Sequence, residues 1–75
     1  MKHYQFTAIV QRDEEGNYLA ICPALQGCYA EGETPEEAIE YLKGVVQLHI
    51  EDRQVCNEPI YEELLSRRLD IDIAA

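Results

Sequence analysis

Thr34-Pro35-Glu36-Glu37 is the segment that most limits how this chain can fold, because it carries three helix-start devices at once. Thr34 offers a hydroxyl N-cap, Pro35 occupies the first helical position, where a missing amide costs nothing, and Glu37 is placed to complete a capping box. The residues that follow keep a helical period. Ala38, Leu42, Val45 and His49 make one apolar row, and Ala38, Ile39, Leu42, Val46 and Ile50 the adjoining one. Glu36, Glu40, Lys43, Gln47 and Glu51 lie largely off that stripe. The spacing predicts a helix of about four to five turns that packs one face on another layer. It should fade near Asp52-Arg53-Gln54, ahead of the break at Asn57-Glu58-Pro59.

The layer it packs on comes from the residues before it. Tyr4, Phe6, Ala8 and Val10 alternate with His3, Gln5, Thr7 and Gln11, Ile9 being the exception, which predicts a half-buried strand over residues 4–10. Asp13-Glu14-Glu15-Gly16-Asn17 breaks the alternation as a turn, and the β-rich run Tyr18 to Cys22 resumes as its antiparallel partner. Pro23 ends that strand for want of an amide, and a third short strand follows around Cys28 to Glu31.

After the helix, residues 60–66 read as a short second helix with Leu64 and Leu65 directed inward. Leu69-Asp70-Ile71-Asp72-Ile73 reads as a fourth strand with its aspartates facing water. The expected fold is a single α+β domain over residues 1–75. It comprises a three-stranded antiparallel meander, one long helix on the sheet, a short second helix and a C-terminal strand.

Composition narrows what such a domain does. Fifteen acidic against six basic residues give a formal charge of -9, which repels a phosphate backbone from most faces and makes direct nucleic-acid binding unexpected. The same charge either steers a basic protein partner or simply maintains solubility, and composition alone leaves both open. No apolar run is long enough for a signal peptide or a membrane span, so a cytosolic location is expected. Cys22, Cys28 and Cys56, an odd number in a short chain, fit reduced, buried thiols better than a disulfide framework.

Three pieces at matching spacing carry a family resemblance: the Asp-Glu-Glu-Gly-Asn turn with Tyr18-Leu19-Ala20, the run Cys22-Pro23-Ala24-Leu25-Gln26-Gly27-Cys28, and Gly32-Glu33-Thr34-Pro35-Glu36-Glu37-Ala38. From about Tyr4 to Ile60 the chain resembles the N-terminal domain of HicB-type antitoxins. The resemblance implies a partial ribonuclease-H-like fold without the nuclease carboxylates. It also implies homo-oligomers, and binding of a small basic HicA-type toxin whose RNA-cleaving site is covered. Many such antitoxins add a DNA-binding domain. Nothing here resembles a helix-turn-helix or ribbon-helix-helix segment, so repression of its own operon is not expected of this chain.

No catalytic, cofactor or metal site is expected. Asp13, Glu14 and Glu15 read as a solvated turn, since a cation site needs ligands converging from several directions. Asp70 and Asp72 share one side of a strand, but no third or fourth acid joins them for metal-assisted hydrolysis, and they read as edge guards. A zinc site from Cys22, Cys28 and His49 lacks the paired-ligand spacing, and neither cysteine has the electropositive neighbours of a nucleophile. His49 is expected to pack and His3 to be exposed.

The residues expected to meet a basic partner are Glu36, Glu40, Glu51, Asp70 and Asp72, with Tyr29, Tyr41 and Tyr61 as amphipathic interface candidates. The leading expectation is an antitoxin-like, self-associating protein that occludes a small basic toxin. The alternatives are a stand-alone homo-oligomeric structural or ligand-binding module and, last, a hydrolase built on Asp70 and Asp72.

Overall fold

The computed structural model describes residues 3–74. Three strands, β1 (Ile9–Arg12), β2 (Tyr18–Ile21) and β3 (Tyr29–Gly32), precede one helix, α1 (Pro35–Val55). The sheet order is β1-β2-β3, antiparallel throughout, so β1 and β3 are both free edges. Val10, Ala20 and Ala30 are cross-strand partners, as are Ile9, Ile21 and Tyr29. By the two-residue alternation of a strand these two rows lie on opposite faces.

The turns close as their residues require. Between β1 and β2 the Asp13 carboxylate accepts the amides of Glu15 and Asn17, both at 2.9 Å, and Gly16 takes φ 89°, a left-handed value at which a side chain would be strained. Between β2 and β3, Cys22 N donates to Cys28 O at 3.0 Å and Cys28 N to Leu25 O at 3.2 Å.

The helix begins as the sequence demands. Thr34 is extended, and its hydroxyl accepts from Glu37 N at 3.1 Å, a cap worth about 1 kcal/mol. The Glu37 carboxylate reaches one residue beyond the N-cap, to Glu33 N at 3.1 Å. The other end is a left-handed stop. Asn57 has φ 58° and donates to Gln54 O, while Glu58 N donates to Arg53 O. This places the stop a few residues later than expected, giving a helix of 21 residues, about 31 Å long.

One helix face meets one sheet face. Ala20, Cys22, Leu25, Cys28, Ala38 and Leu42 form the buried core, with Phe6, Val10, Ala30, Ile39, Val45 and Val46 packed partly against it. Small residues let the layers approach closely at β3. A Cβ on Gly32 would lie 2.6 Å from the Ala38 backbone nitrogen.

Three expectations are corrected. The first strand is shorter and later than residues 4–10, because the β1–β2 register would set Thr7 against Pro23, which has no amide to give. Residues 60–66 form no helix, and Leu64 and Leu65 point to solvent, 100% and 71% exposed. Seven residues are too few to hold helical form without packing. The alternating segment 69–73 joins no sheet, and Leu69, Ile71 and Ile73 are all more than 70% exposed. A strand takes its hydrogen bonds from a neighbour, and here no described residue supplies one.

Candidate interaction surfaces

Glu36, Glu40, Glu51, Asp70 and Asp72 are all exposed, but they belong to two different elements. At about 100° per residue, Glu36, Glu40, Lys43, Gln47 and Glu51 fall in one narrow row along α1. Lys43 Nζ lies 3.3 Å from Glu40 and Gln47 donates to Glu51 at 3.2 Å, so the row is internally linked. Solvent screening leaves such exposed contacts little weight in stability. Asp70 and Asp72 sit apart from this row, on the segment after α1 that joins no sheet.

Beside the acidic row runs a groove of about 700 Å³ between α1 and the segment leading into β1. Phe6, Ala8, Leu42, Val46 and Ile50 supply apolar lining, and Lys43 and Glu51 also border it. It exists because α1 packs chiefly on β3 and β2 and touches β1 least, so the two layers part on the β1 side. Sequence periodicity assigned these side chains to a core. It carried no signal for the tilt that leaves Phe6, Val46 and Ile50 half covered and Ala8 exposed.

Two further apolar surfaces extend beyond the tyrosines singled out from the sequence. Tyr41, Leu48 and Val55 recur every seven residues on the outer flank of α1, each more than half exposed. Ile9 and Tyr29, cross-strand neighbours of Ile21, are exposed on the sheet face away from the helix. The seven-residue interval was a readable signal, hidden because the core stripe of the same helix dominated the pattern.

Other sequence candidates resolve simply. Asp13 spends its carboxylate on its own turn, and among the described residues no group of three or more His, Cys, Asp or Glu is placed to hold a metal ion. His3 is exposed and His49 half-buried. Tyr41 and Tyr61 are exposed, as is Tyr29.

Cys22 and Cys28 are buried and free, whereas Cys56, at the helix C-cap, whose burial the sequence leaves open, is exposed. Burial pushes both the Cys22 and the Cys28 thiol above the ordinary value of 9.0. Their folded pKa values thus exceed the unfolded ones. The stability they contribute is complete below about pH 9 and is lost as pH rises through the raised folded values. A thiol reagent at pH 8 should therefore label one site per native chain, at Cys56, and three after unfolding. Mass spectrometry counts the labels, and rapid modification of all three in the native state would contradict this burial.

The chain is 35% identical over 69 residues to the UPF0150 protein ssr1765 of Synechocystis, covering 91% of this chain and 87% of that relative. It belongs to the UPF0150 family. A second UPF0150 relative, Ta0767 of Thermoplasma acidophilum, is 38% identical over 56 residues, covering 75% of this chain and 81% of its own length. The UPF0150 protein ssl0738 of Synechocystis is 45% identical over 49 residues, covering 65% and 68%. No family model matches the chain, and no solved structure matches it. Among the described residues of this UPF0150 protein, no helix is long and apolar enough to cross a membrane.

Proposed function

We propose that this UPF0150 protein is a HicB-like antitoxin module, a self-associating cytoplasmic protein that binds a small basic HicA-type toxin and covers its RNA-contacting face. The observation that carries this reading is the exposed row Glu36, Glu40 and Glu51 along one side of a well-capped helix, on a chain of net charge -9. A surface evolved to hold RNA is cationic, and an anionic row on a fixed helix meets it with complementary potential, raising the encounter rate before contact. The motif series from Gly16 to Ala38 supports the HicB-type reading, with its partial ribonuclease-H-like fold. In this role the acids act by charge and by occlusion, without bond-making chemistry.

The test is co-purification with the small basic protein encoded beside it. Binding should weaken by on the order of tenfold or more between about 0.05 and 0.5 M salt, as screening shortens the reach of the charges. Glu36→Gln, Glu40→Gln and Glu51→Gln combined should weaken it by a similar factor at low salt. No co-elution at low salt, or affinity indifferent to salt, would remove the basic-partner reading.

A second reading, a stand-alone homo-oligomeric structural or ligand-binding module, is favoured by the apolar groove. An orphan gene with no toxin-like neighbour would support it.

A further inference from the structure

One chain alone leaves its apolar surface badly distributed. The buried core contains two large aliphatic side chains, Leu25 and Leu42, while Ile9, Leu48, Val55, Leu64, Leu65, Leu69, Ile71 and Ile73 are exposed together with three tyrosines. Small domains already bury a modest fraction of their surface, so this imbalance points to a larger assembly.

We propose that residues 69–73 of one copy dock on a second copy, lying along the free edge of its β1 with Leu69, Ile71 and Ile73 turned into the groove beside α1. The proposal rests on the self-association in the reading above and not on the basic partner. Donor and acceptor are both on the same molecule. Leu69, Ile71 and Ile73 form one apolar side of an alternating segment that pairs with no strand, and β1 is a free sheet edge whose lead-in residues Phe6, Thr7 and Ala8 border an apolar groove lacking a full cover. Reciprocal exchange of such segments closes as a two-fold dimer.

Charge fits as well. Arg67 and Arg68 immediately precede the segment and make no ion pair among the described residues, while Glu51 borders the groove that receives it. The path of the chain favours the second copy. Glu63 is tied to the stretch before β1, its carboxylate accepting from the Thr7 hydroxyl, and beyond it Leu69, Ile71 and Ile73 find no cover within their own copy. The molecule measures 48 Å along its longest axis with a radius of gyration of 14.6 Å, against about 11 Å for a compact chain of this length.

The experiment uses the full chain. Light scattering should give a dimer at micromolar concentration, and isotope-filtered NMR on a mixture of differently labelled copies should show contacts from Ile71 and Ile73 to Val46 and Phe6 of the other copy. Ile71→Asp, at a site exposed within one copy, should weaken the dimer at least about tenfold while leaving the helical circular dichroism unchanged. Leu48→Asp, on the outer flank of α1, should leave the dimer intact. A monomeric wild type would overturn both the docking and the self-association. A dimer that survives Ile71→Asp but splits with Leu48→Asp would overturn the docking alone. Contacts confined to one chain would show that the segment folds back on its own groove, and would also overturn it.

Discussion

Leu42→Ala should cost about 2 to 5 kcal/mol, the usual range for truncating a buried leucine, and should remove a large share of the stability of the domain. Leu42 is 4% exposed and, with Leu25, is one of two large aliphatic side chains in a core otherwise made of alanines and cysteines. By the ordinary per-residue range a chain of 75 residues has about 4 to 11 kcal/mol in all, so one substitution removes a large share. Leu42 also borders the groove, where collapse around the lost atoms is easier, which favours the lower half of the range. Urea unfolding followed by circular dichroism measures this directly. A midpoint unchanged from wild type would mean that the layers are not held together at this residue.

Gly32→Ala is the second large effect, and its sign is decided by two opposing magnitudes. Adding a methyl group restricts the unfolded chain and typically stabilises by about 0.4 to 1 kcal/mol where the native backbone tolerates it. At Gly32 the new Cβ would meet Ala38 N at 2.6 Å and Ala38 Cα at 3.0 Å, backbone atoms that yield only if the helix moves off β3. Overpacking of this kind costs about 1 to 3 kcal/mol, so the net result is destabilising. Gly44 supplies the control, because a Cβ there meets nothing within 4 Å and the residue lies mid-helix. Gly44→Ala should stabilise by about 0.5 to 1 kcal/mol. Thermal melts of the two variants should move in opposite directions, and movement of both in the same direction would refute the close approach of α1 to β3.

The contrast between these glycines shows where sequence reading succeeds. Local chemistry announced the helix start at Thr34, the turn at Gly16 and the alternation that turns Val10 inward, because each depends on residues within a few positions of one another. The helix face was legible too, since Ala38 and Leu42 fall on the predicted stripe. The pairing of the three strands and the packing of α1 on them were legible as well, and what failed were the inferences about the segment after α1. The perfect alternation from Leu69 to Ile73 is a statement about side chains, whereas a strand also needs another backbone to bond to. Leu64 and Leu65 were assigned inward on apolarity alone, without an element to receive them. The acid row was readable residue by residue, but its separation from Asp70 and Asp72 depended on where the last segment travels. The groove escaped for a related reason: a tilt between layers is set by small residues such as Gly32 and Ala38 on facing elements, and no single segment records it.

Cys56 at the helix C-cap gives the molecule a native attachment point for a reporter. It stands at the left-handed stop at Asn57 that ends α1, and the other two thiols are buried in the core. A nitroxide placed there would mark the end of α1 in each copy without any mutation. The spacing between two such labels would then gauge how far apart paired molecules hold their helix ends.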